Sequence, residues 1–111
     1  MKLVYIAGPY RAATAWDVEK NVRAAEELAH AVWRLGAVAI CPHAMARWMS
    51  DVPEENYLEG FIDLLRRCDA LITVRDWRES RGAMDEVAVA REIKIPVFFD
   101  LVEVVEWLKK L

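Results

Sequence analysis

Glu86 is the residue whose type and placement first point to chemistry. The polar stretch Asp76-Trp77-Arg78-Glu79-Ser80-Arg81-Gly82-Ala83-Met84-Asp85-Glu86 follows an apolar run, Ala70-Leu71-Ile72-Thr73-Val74, and leads into Val87-Ala88-Val89-Ala90. If the second half is a helix with Ala83, Val87 and Ala90 as its inward stripe, Glu86 falls three residues after Ala83 and four before Ala90, on the edge of that stripe. A carboxylate there costs free energy unless it is paired, hydrogen-bonded or facing a cleft. Ser80 and Gly82 open the same helix, whose first N–H groups favour an anion. One turn of sequence thus offers a lone carboxylate beside an anion seat.

A second group lies near the N-terminus. Leu3-Val4-Tyr5-Ile6-Ala7 is a continuous apolar run stopped by Gly8-Pro9, and Arg11 follows in a loop that extends to Trp16. Gly8 permits close backbone approach to a ligand. Arg11 supplies a planar fork suited to phosphate or carboxylate, and Tyr5 sits on the strand that feeds the loop. Each residue also has an ordinary structural reading: Glu86 as a salt-bridged helix residue, Ser80 as a helix cap, Arg11 as a solvated charge and Tyr5 as core. His43, after Pro42, is given no role.

The elements that must position these groups alternate. Apolar runs at Leu3–Ala7, Ala37–Ile40, Ala70–Val74 and Ile95–Phe99 read as strands. A helix is expected from about Asp17, taken as the N-cap, to Leu35, with Val18, Val22, Ala25, Ala29 and Val32 inward and Gly36 at C′. A second runs from Pro53-Glu54-Glu55 to about Arg67, with Leu58, Ile62 and Leu65 inward. A third runs from the Ser80–Gly82 region to about Ile93. A fourth starts on Asp100, with Glu103 completing a capping-box pattern, and has Leu101, Val104, Val105, Leu108 and Leu111 as its stripe. His43 to Asp51 reads as a helical turn or a lid, with Ala44, Met45, Trp48 and Met49 on its apolar side, and Asp69 reads as a structural cap. Alternation of this kind means an α/β fold with a parallel sheet and helices on both faces. A Rossmann or flavodoxin-like three-layer sandwich with strand order 2-1-3-4 is expected. The first and third strands are then neighbours, and their carboxyl-end loops face each other across one crevice.

The 111 residues make one domain spanning 1–111. An apolar share of 56%, with five tryptophans, supplies a core, and a net charge of −3 with scattered basic residues argues against a groove for polymeric nucleic acid. Cys41 and Cys68 have no metal-ligand spacing. No apolar run reaches the ~20 residues of a membrane span, and Met1-Lys2 leads straight into a strand rather than a signal peptide. A cytoplasmic protein with no membrane partner is expected.

Tyr5-Ile6-Ala7-Gly8-Pro9, Asn21, Ala24 to Gly36, Pro42-His43, Cys68-Asp69-Ala70 and Trp77-x-x-Ser80-x-Gly82-Ala83-x-x-Glu86-x-x-x-Ala90 together resemble the nucleoside 2-deoxyribosyltransferase-like superfamily, and in particular its short bacterial and phage members. The superfamily includes 2′-deoxynucleoside 5′-monophosphate N-glycosidases. The resemblance covers nearly the whole chain. It implies a Rossmann-like sheet, a nucleoside or nucleotide substrate, and cleavage or transfer at the N-glycosidic bond. Glu86 matches the nucleophile that attacks the anomeric carbon, and Tyr5 matches the tyrosine that holds it. Gly8, Pro9, Arg11, Ser80 and Gly82 fall at substrate- and phosphate-binding positions, and Trp77, in the crevice loop, is the candidate to stack on the base. The family's second carboxylate is expected eight residues before Asp69, where this chain has Phe61. The nearest carboxylate, Asp63, is rotated by about 200° on an ideal helix, and it completes the expected catalytic set of Glu86, Tyr5 and Asp63. This chemistry requires no metal or organic cofactor, and a homo-oligomer, dimer or higher, is implied. The alternative is a non-catalytic nucleotide-binding module using the same crevice to sense or sequester its ligand.

Overall fold

The computed structural model describes all 111 residues. Four strands, β1 (Leu3–Ala7), β2 (Val38–Ile40), β3 (Ala70–Thr73) and β4 (Val97–Phe98), form one sheet in the order β2-β1-β3-β4. Every pairing is parallel, with Tyr5 opposite Ile40 and Leu71, and Ile72 opposite Phe98. The helices are α1 (Ala15–Arg34), α2 (Pro42–Ala46), α3 (Glu54–Arg66), α4 (Arg81–Glu92) and α5 (Leu101–Lys109), and a single 3₁₀ turn occupies Trp77–Glu79. This is the α/β architecture and strand order that the alternation of apolar runs predicts. No helix is long and apolar enough to cross a membrane.

Strand pleating sends alternate residues to opposite faces. Val4, Ile6, Ala70 and Ile72 pack with Ala25, Ala29 and Val32 of α1 and Val104 of α5. Tyr5, Ala7 and Leu71 pack on the other face with Leu65 of α3 and with Val87 and Ala90 of α4. The four strand residues Val4, Tyr5, Ile6 and Ala7 are all fully buried, as a central parallel strand requires.

The helix ends show where local chemistry sets the boundaries. α1 begins earlier than expected, because the Thr14 hydroxyl, not Asp17, caps it. Thr14 Oγ1 accepts the Asp17 N–H at 3.1 Å and donates to Asp17 Oδ2 at 2.9 Å. Gly36, with φ of +90°, takes the left-handed position after the helix that a side chain would strain. Asp100 Oδ1 accepts the Glu103 N–H at 3.0 Å, and Glu103 reaches back to the Phe99 N–H at 2.8 Å, a capping box shifted by one residue. Asp69 accepts the Leu3 N–H at 2.8 Å and ties the start of β3 to β1. Two expectations about inward stripes fail. Leu111 is 65% exposed beyond the end of α5, and Leu58 of α3 is 46% exposed. Only Leu65 of α3 is fully buried, and the N-terminal half of the helix borders an opening.

Candidate active site

The opening lies over the carboxyl ends of β1 and β3. The Val74 N–H donates to Ala7 O at 2.7 Å, so the loops after the two strands start side by side. Gly8 sits so close to Val74 that a Cβ there would lie 2.6 Å from Val74 Cβ and Cγ2, and no larger residue fits without moving a strand end. From this junction a crevice of about 700 Å³ extends between the first loop, the N-terminus of α4 and the exposed flank of α3. That volume is in the range of small-molecule sites.

Glu86 lies in the crevice wall on the second turn of α4. Its Oε2 accepts the hydroxyl of Tyr5, a residue with no solvent exposure of its own. Burial pushes the Glu86 carboxyl up from 4.5 to about 7; the Tyr5 hydrogen bond opposes this and the neighbouring Asp85 charge adds to it. Burial, and then the Glu86 charge, drive the Tyr5 phenol far above its ordinary range, so it remains a proton donor. The arrangement is a carboxylate held in one orientation by one donor, with its ionisation poised near neutrality.

The first loop is braced from behind. His43 Nε2 lies 3.1 Å from Gly8 O and 3.0 Å from Pro9 O, and Asn21 Nδ2 donates to Tyr10 O at 3.0 Å. Two carbonyls on one ring nitrogen place the proton on Nε2 and leave Nδ1 as a buried acceptor without a partner. Burial holds the imidazole below its ordinary pKa, against the opposing pull of the two carbonyls, so the ring is neutral. Three successive carbonyls are thereby taken up, while the N–H groups of Gly8, Tyr10 and Arg11 find no acceptor in the chain. Across the crevice, Ser80 Oγ caps α4 by accepting the Ala83 N–H at 3.1 Å, and the Arg81 and Gly82 N–H groups stay free. Two sets of unpaired N–H groups border one cavity, an arrangement suited to an anion.

Of the residues singled out in the sequence, Gly8, Pro9, Arg11, Ser80, Gly82 and Glu86 line the crevice, and Tyr5 supports Glu86 from the core. Arg11 is paired with Glu54, so the ion pair joins the first loop to the start of α3. Two residues are elsewhere. Asp63 is exposed on α3 and does not reach the crevice; Phe61, two residues earlier, occupies that wall. Trp77 also lies outside the cavity: the 3₁₀ turn directs its ring toward the end of β4, where it stacks on Phe99 at 5.7 Å beneath the Arg78 guanidinium. A turn of hydrophobic and charged residues carries no periodicity from which that direction could be read.

The α3 wall brings in Glu54 and Tyr57, which the sequence does not single out, beside Leu58, which its pattern assigns to the core, and Phe61, which stands where the family's second carboxylate is expected. Glu54, Tyr57, Leu58 and Phe61 follow i, i+3, i+4, i+7 spacing, the signal of a single helix face, which here faces the cavity rather than the core. Tyr57 and Phe61 meet at a centroid distance of 5.8 Å. The His43 brace had one sequence cue, its place directly after the strand-ending Cys41-Pro42. No three His, Cys, Asp or Glu side chains converge in a way that could hold a metal ion. Among curated proteins none matches the chain. A family model described as a domain of unknown function, DUF7768, matches residues 2–100 and so takes in all four strands, the first loop, α3 and α4. The chain belongs to the DUF7768 family.

Proposed function

We propose that the crevice binds a nucleoside or nucleoside 5′-monophosphate and cleaves or transfers its N-glycosidic bond, with Glu86 as nucleophile. The observation that carries this reading is the Tyr5–Glu86 pair: a carboxylate largely removed from water, oriented by one buried phenol, at the wall of a cavity edged with free N–H groups. A buried carboxylate has a structural cost, and no cation or second donor in the chain offsets it. The resemblance of the Tyr5–Pro9 and Trp77–Ala90 segments to the nucleoside 2-deoxyribosyltransferase-like superfamily supports the same assignment.

In this reading the 5′-phosphate sits on the N–H groups of Gly8, Tyr10, Arg11, Arg81 and Gly82, where Arg11 exchanges Glu54 for the ligand. The ionised Glu86 attacks C1′ as the base departs, through an oxocarbenium-like state, to form a glycosyl ester. Water or a second base then releases the sugar and restores the carboxylate. Tyr5 is a positioning residue: its hydrogen bond fixes the attacking carboxylate and favours the ionised form. No metal or organic cofactor takes part. A cytoplasmic homo-oligomer belongs to the same reading, with Trp48 (81% exposed) and Trp33 (50% exposed) available as contact surface.

A second reading keeps the ligand and drops the reaction: a nucleotide-binding module that senses or sequesters. The placement of Asp63 outside the crevice favours it, since the α3 wall beyond its first residue, Glu54, holds no carboxylate to protonate a leaving base. A panel of ribo- and deoxynucleosides and their 5′-monophosphates, assayed for free base by chromatography with wild type and Glu86→Gln, decides between them. Base release that disappears in Glu86→Gln is expected. Release that persists in the variant removes Glu86 as nucleophile, and binding without release from any substrate establishes the second reading.

A further inference from the structure

Two proton donors of the crevice are committed, and the Tyr10 and Ser80 hydroxyls stand on the first loop and at the start of α4. The Tyr5 hydroxyl is held by Glu86, and the one N–H of neutral His43 is spent on Gly8 O and Pro9 O. Glu54, which pairs with Arg11 in the free protein, is exposed at the start of α3. Glu79 and Asp85 are exposed, on the α4 side of the cavity. On the α3 side, which completes the cavity opposite α4, Glu54 stands at the exposed start of the helix, and the wall beyond it is formed by Tyr57, Leu58, Phe61 and Ile62, with a phenol as its only proton-bearing group. A purine or pyrimidine leaving from a neutral nucleoside departs as an anion unless it is protonated, and a placed acid is worth typically ~10²–10⁴-fold in rate.

Two further features have the same sense. Tyr57 and Phe61 form a tilted aromatic pair at 5.8 Å, and aromatic faces attract cations. The charged residues of the cavity are Glu54, Glu79, Asp85 and Glu86 against Arg11 and Arg81, four carboxylates to two guanidiniums. The α3 wall is therefore short of an acid and lined with aromatic side chains, and the cavity is in excess negative charge.

We propose that the crevice takes nucleosides or nucleotides whose base is positively charged at its point of attachment or within the conjugated ring, such as N-glycosylpyridiniums and N7-alkylated purines. The proposal rests on the N-glycosidic reading of the site and specifies its substrate class. An oxygen of ionised Glu86 bonds to C1′ while the C1′–N bond breaks. The bonding pair goes to the base nitrogen and cancels the formal charge of the ring, so the base leaves neutral and no proton is delivered. Water then bonds to C1′, the C1′–O bond to Glu86 breaks with its pair returning to the carboxylate, and the proton of the water passes to solvent. The net products are the neutral base, the free sugar and one proton.

The test compares matched substrates that differ only in charge: N-ribosylnicotinamide against its 1,4-dihydro form, and 7-methylguanosine against guanosine. Each is assayed in ribo and 2′-deoxy forms, with and without a 5′-phosphate, and the rate in Glu86→Gln is subtracted as background. The charged member of each pair is expected to release its base ~10²–10⁴-fold faster than its neutral counterpart, and this ratio is expected to persist in Tyr57→Phe, which keeps the ring and removes the hydroxyl. Phe61→Asp, which places a carboxylate within the α3 wall, is expected to raise release from guanosine and so to narrow the charged-to-neutral ratio. Equal rates within the pairs, or guanosine cleavage lost in Tyr57→Phe, would overturn the charge requirement while leaving the glycosidase reading in place. Absence of release from every substrate overturns that reading and this proposal with it.

Discussion

Val4 and Ile6 enter one face of the sheet, and Tyr5 and Ala7 enter the other, yet the two faces have different fates. The buried core of the α1–α5 face is aliphatic: Val4, Ile6, Ala25, Val32, Ile72 and Val104 have no polar group among them, and Phe98 and Trp107 pack against them. The α3–α4 face has comparable strand residues but carries a phenol and a carboxylate between the sheet and α4, and it opens into the crevice beside the N-terminal half of α3. Sealing a face needs only shape and apolar area. Leaving a carboxylate beside the second face is unfavourable for folding, and such a departure from local consistency marks a functional site. One face therefore accounts for stability and the other is the place to look for chemistry.

That contrast can be broken by mutation, starting with the sealed face. Ile72→Ala is expected to lower unfolding free energy by about 2–5 kcal/mol, the cost of a cavity in a closed core. Ligand affinity of the folded fraction is expected to stay at its wild-type value. Chemical denaturation read alongside ligand titration checks both halves, and a loss of affinity in the folded variant would mean that the faces are not separable.

Glu86→Gln should do the reverse. The carboxyl sits near pH 7 in the folded chain against an ordinary 4.5, so the unfolded state releases this proton first as pH rises. Its contribution to stability is complete below about pH 4.5, declines through pH 7 and is absent above. Replacing it with Gln, which keeps an acceptor for Tyr5, should stabilise the protein by about 3 kcal/mol at pH 8 and by little at pH 4. Denaturation midpoints of both proteins across that range make the measurement, and a pH-independent difference would remove the burial argument.

Gly8→Ala places a methyl against Val74 at the strand junction. A cost of about 1–3 kcal/mol is expected, together with weaker ligand binding, because the loop that starts at Gly8 must move. Asp100→Ala is the smallest change, about 0.5–2 kcal/mol from the lost cap on α5, with no effect in the crevice. If Asp100→Ala weakened binding as much as Gly8→Ala did, the site would not be confined to the α3–α4 side.

The contrast also explains what was legible from residue order. Strand order 2-1-3-4 could be read because four short apolar runs alternate with helical patterns, and parallel pairing with right-handed crossovers leaves few alternatives. Glu86 stood out for the same reason: Ala83, Val87 and Ala90 form a clear stripe, and a carboxylate on its edge violates the pattern. The errors come from places where periodicity is silent about the neighbour. The face of α3 that carries Leu58 and Phe61 is apolar whether it meets a sheet or a cavity, so Leu58 was assigned to the core. Trp77 lies in a three-residue turn, where hydrophobicity gives no direction, and its ring is claimed by Phe99. The N-cap at Thr14 and the His43 brace depend on single hydrogen bonds between residues that pattern analysis treats as loop.

The central claim is that Glu86 forms a bond to the anomeric carbon of a nucleoside. A 2′-fluoro-substituted nucleoside, whose glycosyl ester hydrolyses slowly, should trap that bond. Intact-mass spectrometry of the treated protein should show one added sugar, peptide mapping should place it on Glu86, and Glu86→Gln should remain unlabelled. Base release without a sugar adduct on Glu86, or an adduct on another residue, would contradict the account.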